Sequence, residues 1–159
     1  LQHPNADGYY IPRLVYYLGR WWWRGGWYPD YRLRLFRRDH VVWGGIDPHE
    51  KVILHGRSAR LRGPLLHYTY RDIADHLATI NFFTGVAARE LELRGQHATL
   101  GDMLLRPLWR FVRFYLMRRG FMEGLAGLFV AQSAAFYGFA QYAKLWEATH
   151  GRHLDPPRS

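Results

Sequence analysis

The spacing of apolar and polar side chains changes period once along the chain, near residue 70. Before that point the period is short. In "DYRLRLFRR", Tyr31, Leu33 and Leu35 fall on one side and Arg32, Arg34 and Phe36 on the other, the two-residue alternation of a half-buried strand. "KVILHG" and "GPLLHYTY" predict further strands, each beside a glycine that allows a tight turn. "YYIPRLVYYLG" is ambiguous: Pro12 has no N–H to give to a ladder, which points to an edge strand or a bend.

From about Arg71 the period lengthens. Ile73, Leu77, Ile80, Thr84, Ala87, Ala88 and Leu91 recur at helical spacing, and Gly95 follows as a C-terminal cap. Thr99 with Asp102 three residues on resembles a capping box, Asp standing where Glu or Gln is usual. A second helix then runs to about Arg119, where Gly120 stops it, and a third from about Met122 to about Thr149. The expected organisation is α/β: short strands over 1–68, a connecting helix in 69–98, a helical hairpin in 99–150 and a frayed tail in 151–159.

The two late helices carry a further message. Arg106, Arg110 and Arg113 form one basic stripe on a helix otherwise covered by Leu104, Leu105, Leu108, Trp109, Phe111 and Val112. That is the pattern of an amphipathic helix lying in a membrane interface, with Trp109 at headgroup depth. Gly124 to Ala143 contains no charged residue, and at about 1.5 Å per residue it would extend roughly 30 Å. Gln132, Ser133, Gln141 and several glycines dilute it, which favours a membrane-embedded or re-entrant helix over a full span. The competing reading is two buried helices of a soluble bundle.

Charge narrows the partners. Lys and Arg outnumber Asp and Glu by 22 to 13, and only Lys51 and Lys144 are lysines. Arginine suits planar, bidentate contact with phosphate or carboxylate, so a phosphate-bearing partner is expected: an anionic lipid surface, a sugar nucleotide or nucleic acid. No nucleic-acid-binding module is present, and much of the arginine lies in the apolar helices, which disfavours nucleic acid. With no cysteine, disulfides, thiolate metal sites and a cysteine nucleophile are all excluded.

The candidate chemistry centres on "WGGIDPHEKV". Glu50 follows His49 at the mouth of a predicted strand, beside a Trp43-Gly44-Gly45 segment expected to be a flexible aromatic loop. A carboxylate that His49 can hydrogen-bond is suited to taking a proton from a hydroxyl. An exposed, solvated Glu is the competing reading. "HEKVILH" is not the zinc-peptidase motif, since its second His comes six residues after the first in a strand-like stretch. His67, bracketed by apolar residues, fits a core histidine better than a ligand.

"GWYPDYRLRLFRR", "DPHEKV", "GPLLHYTYRD" and "LRPLWRFVRFYLMRRGFMEGLAGLFVAQSAAFYGFAQYAKLWE", in that order, resemble the C-terminal part of bacterial family 2 glycosyltransferases of the lipopolysaccharide-core glucosyltransferase type. The resemblance implies the end of a nucleotide-sugar transferase domain followed by membrane-associated helices. It also implies inverting transfer from a nucleotide-sugar donor to a lipid-linked or lipopolysaccharide-core acceptor, at the cytoplasmic face of the inner membrane. Glu50 matches the general base and His49 the residue that orients it. Tyr28, Asp30, Arg34 and Trp43 become acceptor or phosphate contacts, and His67 is similar to a late metal ligand. The divalent metal, Mg or Mn, is implied mainly through an Asp-x-Asp motif that this sequence lacks. The chain is therefore expected to begin after the donor-binding half. A non-catalytic basic membrane-binding module is the alternative.

Overall fold

A computed structural model describes residues 5–44 and 51–150 as short strands followed by three helices. The chain divides into two compact units, Leu1–Trp23 with Trp27–Thr69, and Arg24–Gly26 with Tyr70–Ser159.

The first unit is built on strand β1, Gly8–Tyr17. Four strands pair with it: β2 (Arg20–Trp22) and β3 (Asp30–Phe36) antiparallel, β6 (Ser58–Arg60) and β7 (Leu65–Tyr68) parallel. The registers place β3 and β2 end to end along one edge of β1, and β6 and β7 end to end along the other. Pro12, expected at an edge or a bend, is instead buried in the middle of this central strand. The reason is local. Tyr10 accepts from the Leu61 N–H on the β6–β7 edge, and Pro12, two residues on, turns its nitrogen to the same edge. There it falls between the residues paired with β6 and those paired with β7, so the missing N–H breaks no ladder bond.

A two-residue turn, Leu18-Gly19, joins β1 to β2 with positive φ at both positions (51° and 75°), as a twisted hairpin requires. It brings Trp22 onto Tyr17. The Trp22 indole donates to the Tyr17 carbonyl at 2.9 Å, both side chains are fully buried, and Trp27 packs on both rings. Opposite Tyr9 and Tyr10 the register of β3 skips Arg34, which makes it the extra residue of a β-bulge. The simple alternation read from the sequence breaks at this point, and Leu35 is 45% exposed.

Strands β4 (Val41–Gly44) and β5 (Lys51–Leu54) form a separate antiparallel ribbon. Trp43, expected in a loop, is the strand partner of Val52. Asp7 ties the base of this ribbon to the sheet. Its backbone N–H donates to Arg57 O, its carboxylate accepts from Arg57 N–H (both 2.8 Å), and its carbonyl accepts from Arg37 N–H. His40 Nδ1 and His55 O, 3.0 Å apart, close the same corner.

The second unit holds α1 (Ile73–Leu93), α2 (Leu100–Val112) and α3 (Gly124–His150). Asp72 caps α1, and the reciprocal Thr99–Asp102 capping box starts α2 as the sequence predicts. The buried ridge of α1 is His76, Ile80, Thr84 and Ala88; Ile73 and Leu77, expected inside, are more than 40% exposed. Lys144 of α3 pins the two helices. Its ammonium donates to Asn81 O, Asn81 Oδ1 and Thr84 Oγ1 at 2.5–2.9 Å. Between α2 and α3 a π-helical turn (Arg113–Met117), a left-handed Arg119 and a 3-10 turn (Gly120–Glu123) reverse the chain. Gly127 of α3 lies against the Gly120 carbonyl there, with no room for a side chain. Arg24–Gly26 pack on the same corner: Gly25 N–H donates to Arg118 O at 2.9 Å, and Gly26 lies on the Phe114 ring.

A Cβ at residue 127 meets backbone that cannot yield, so Gly127→Ala should lower stability by about 2 kcal/mol or more in thermal unfolding followed by helical circular dichroism. Gly101→Ala, where a Cβ meets only Thr99 Oγ1 at 3.6 Å, should instead stabilise α2 by about 0.5–1 kcal/mol. Burial pushes the His76 imidazole down to about 4, with Asp75 offsetting part of that effect. Because the folded form resists protonation, its stability is complete above about 6.5 and falls as pH drops from there to about 4, by roughly 2–3 kcal/mol. His76→Phe should keep the stack on Tyr70 and flatten that pH dependence.

Candidate functional site

The strand unit gathers its charge on one face of the sheet. Arg13 of β1 pairs with Asp30, the first residue of β3, and their side chains meet in an ion pair. The Arg13 Nε donates to Asp30 Oδ2 at 2.9 Å, and Arg32, two residues along β3, donates to the same oxygen at 3.1 Å. Burial works against the Asp30 carboxylate, but the two guanidiniums outweigh it and hold its pKa below the ordinary value. On the other edge of β1, His67 of β7 pairs with Val15, so it projects from the same face as Arg13. Burial is the main cause that lowers its pKa; Arg13 and Arg34 lower it further, and Asp30 partly offsets them. The imidazole is therefore neutral at neutral pH, in a field set by arginines.

Three of the residues expected from the sequence, Asp30, Arg34 and His67, thus share one electrostatic neighbourhood. Arg13 and Arg32 belong with them and were not singled out. Arg32 could have been found from its alternation with Asp30 and Arg34, whereas Arg13 becomes visible only through the β1–β3 register. Bulges re-aim side chains, and the one at Arg34 leaves an exposed guanidinium with no carboxylate bonded to it among the described residues. Asp30 already balances Arg13 and Arg32 in part, so Arg34 carries the surplus positive charge. The arrangement is suited to an anion with several oxygens, such as phosphate or diphosphate.

It does not suit a divalent cation. No three His, Asp or Glu side chains come together as metal ligands among the described residues, and the guanidiniums that act on His67 repel a cation. The role of His67 implied by the resemblance, as a metal ligand, finds no support in these surroundings.

The remaining expected residues lie elsewhere. His49 and Glu50 lie outside the described residues; they occupy the connection between β4 and β5, directly before Lys51. Trp43 stands on that ribbon and is 70% exposed. Tyr28 precedes a cis Pro29 and meets the Trp23 ring edge-on at 4.9 Å.

In the helical unit, the arginine stripe of α2 does not face outward as a whole. Arg106 lies over the Tyr142 ring at 4.9 Å and donates to Asp102 at 2.5 Å, and Arg110 lies over Tyr137 at 5.2 Å. The Arg110 stem rests on Gly138. Arg113 is exposed, and Trp109, Leu104, Leu105 and Leu108 are each more than half exposed. No helix among the described residues is long and apolar enough to cross a membrane.

Over 81 residues, 51% of this chain, the sequence is 30% identical to a Rickettsia bellii (strain RML369-C) protein described as an uncharacterized glycosyltransferase. The aligned stretch covers 28% of that relative's length. No family model and no solved structure matches the chain.

The electrostatic reading has a direct check. Removing the Arg34 charge (Arg34→Ala) should move the His67 midpoint up toward 6.5, and Asp30→Asn should move it further down, as followed by NMR of the imidazole Hε1. A His67 midpoint indifferent to both changes would mean that these residues do not form one site.

Proposed function

We propose that the chain is the acceptor-binding and catalytic-base part of an inverting glycosyltransferase. It serves transfer from a nucleotide-sugar donor to a lipopolysaccharide or other cell-envelope glycan at the cytoplasmic face of a bacterial inner membrane. The observation that carries this reading is the likeness over half the chain to a protein described as a glycosyltransferase, set beside an arginine-rich sheet face in the same chain. In this reading Glu50 removes the proton from the acceptor hydroxyl as that oxygen attacks the anomeric carbon, and the diphosphate departs from the opposite side. His49 orients the carboxylate. Arg34, flanked by Arg13 and Arg32, holds phosphate oxygens of the donor or the acceptor; Tyr28 and Trp43 are offered to sugar rings. A divalent cation, Mg or Mn, would neutralise the leaving diphosphate when bound and belongs in this reading to the donor-binding half.

The helical unit supports membrane attachment through one feature. The Arg106 and Arg110 guanidiniums lie over tyrosines of α3, and Leu104, Leu105, Leu108 and Trp109 are left exposed. An apolar helix face of this kind is stabilised by burial in the headgroup and acyl boundary of a bilayer.

The catalytic assignment is tested in an enzyme that carries this segment together with a donor-binding half. Glu50→Gln should cut kcat by about 10²–10⁴, with donor affinity nearly unchanged. Full turnover by that variant would remove Glu50 from the mechanism and favour the alternative, a non-catalytic membrane-binding module. For attachment, the measurement is co-sedimentation with phosphatidylglycerol-containing vesicles. Leu105→Glu with Trp109→Glu should weaken binding by about tenfold or more, and because Arg106 and Arg110 are engaged within the unit, much of the binding should survive about 0.5 M salt.

A further inference from the structure

The face of the sheet opposite the arginines carries a different chemistry. Tyr16 of β1 pairs with Trp21 of β2 on one edge and with Tyr68 of β7 on the other, so three aromatic side chains form a row across three adjacent strands. Their rings touch mutually, with centroids 5.0 Å apart for Tyr16–Trp21, 5.3 Å for Tyr16–Tyr68 and 5.7 Å for Trp21–Tyr68. Arg13 and His67 lie one residue out of phase with this row, and side chains alternate between the two faces of a strand. The row is therefore separate from the charged site.

Three properties mark it as more than core. Tyr68 is 71% exposed, and Tyr16 and Trp21 beside it are half-buried, so the row reaches the surface. Two phenol hydroxyls and one indole N–H belong to it, and none of these polar tips is bonded to another described residue. The rings are carried on hydrogen-bonded strands, which hold them in place before any ligand arrives.

We propose that Tyr16, Trp21 and Tyr68 form a carbohydrate-binding platform, which holds a neutral sugar unit of a longer glycan away from the charged face. A pyranose presents an apolar C–H face flanked by hydroxyls. It can stack on one ring while its hydroxyls reach the polar tips of the other two. The angles between the rings, 55–65°, leave no parallel slot of the kind a flat nucleobase would enter. None of the three side chains is charged, so the platform selects neutral sugar and leaves phosphate to the arginines. The proposal goes beyond the transferase reading: binding here needs neither Glu50 nor a donor.

The test uses the full 159-residue chain. Maltohexaose, cellohexaose and mannohexaose are titrated separately while the Trp21 indole N–H is followed by NMR, with uridine monophosphate and phosphatidylglycerol micelles as competing probes. At least one hexasaccharide should shift the Trp21 signal saturably, with a Kd near the millimolar range. Tyr68→Ala should weaken that binding by about fivefold to tenfold in a chain that stays folded, its melting temperature lowered only slightly by the lost cross-strand ring contacts. Tyr68→Phe, which keeps the stacking face and loses the hydroxyl, should fall between the two. No saturable shift up to about 20 mM of all three sugars would overturn the proposal, as would a Tyr68→Ala chain that binds unchanged. A response to the nucleotide or the micelles alone would also overturn it and assign the row to that partner. Failure of sugar binding leaves the Glu50→Gln result untouched, so the two readings fall separately.

Discussion

Strand β1 is hydrogen-bonded along both edges, and every other strand of the five-stranded sheet pairs with it. The unit is therefore a star around one strand rather than a series of neighbours, and the register of β1 sets the position of everything else. A slip by one residue would move Arg13 to the aromatic face and Tyr16 to the charged one, because side chains alternate strictly. Three local features oppose such a slip. Pro12 is tolerated only where the β6–β7 edge is interrupted, the Leu18-Gly19 turn fixes β2 against the end of β1, and the Tyr17–Trp22–Trp27 cluster fills the space beneath that turn. The chemistry on both faces depends on this one alignment.

How much of this was legible follows from range. The strands over residues 30–36, 51–54 and 65–68, the three helices, the Gly95 stop and the Thr99–Asp102 box all come from contacts within a few residues, and the pattern of the chain carries them. Pro12 was misread because its rule concerns ladder bonds, and whether a bond is lost depends on where β6 ends and β7 begins, some fifty residues away. Arg13 escaped notice for the same reason: nothing near it in sequence shows that Asp30 will lie across from it. His76 and the exposure of Ile73 and Leu77 turn on which side of α1 meets α3, and helical spacing alone allowed a wider arc.

In the helical unit the sequence displayed an amphipathic helix but not its orientation. Arg110 is half-buried on α2, while Arg106 stays exposed and bonded to Asp102; both guanidiniums lie over tyrosine rings of α3. A guanidinium over a tyrosine is attracted by the ring quadrupole while its stem packs against small residues, and Gly138 allows the Arg110 stem to come close. The consequence is that Leu104, Leu105, Leu108 and Trp109 are left on the outside. Exposed apolar side chains of this kind are costly in water, and it is this exposure, more than the arginine content of α2, on which the proposal of membrane attachment rests.

The two faces of the sheet differ in charge. On the face that holds Arg13, Arg32, Arg34 and His67, the Asp30 carboxylate is engaged by two guanidiniums and the imidazole is neutral, so the proposed phosphate ligand would meet positive charge there. On the other face, Arg60 is turned onto the Tyr31 ring, and Tyr16, Trp21 and Tyr68 present uncharged ring surface whose polar tips bond no other described residue. A ligand with one phosphorylated part and one neutral sugar part could satisfy both only by passing around an edge of the sheet, which a single sugar is too short to do. A glycan of several units is long enough. If both proposed sites serve one ligand, their separation across one strand's thickness requires an extended glycan rather than a small free sugar.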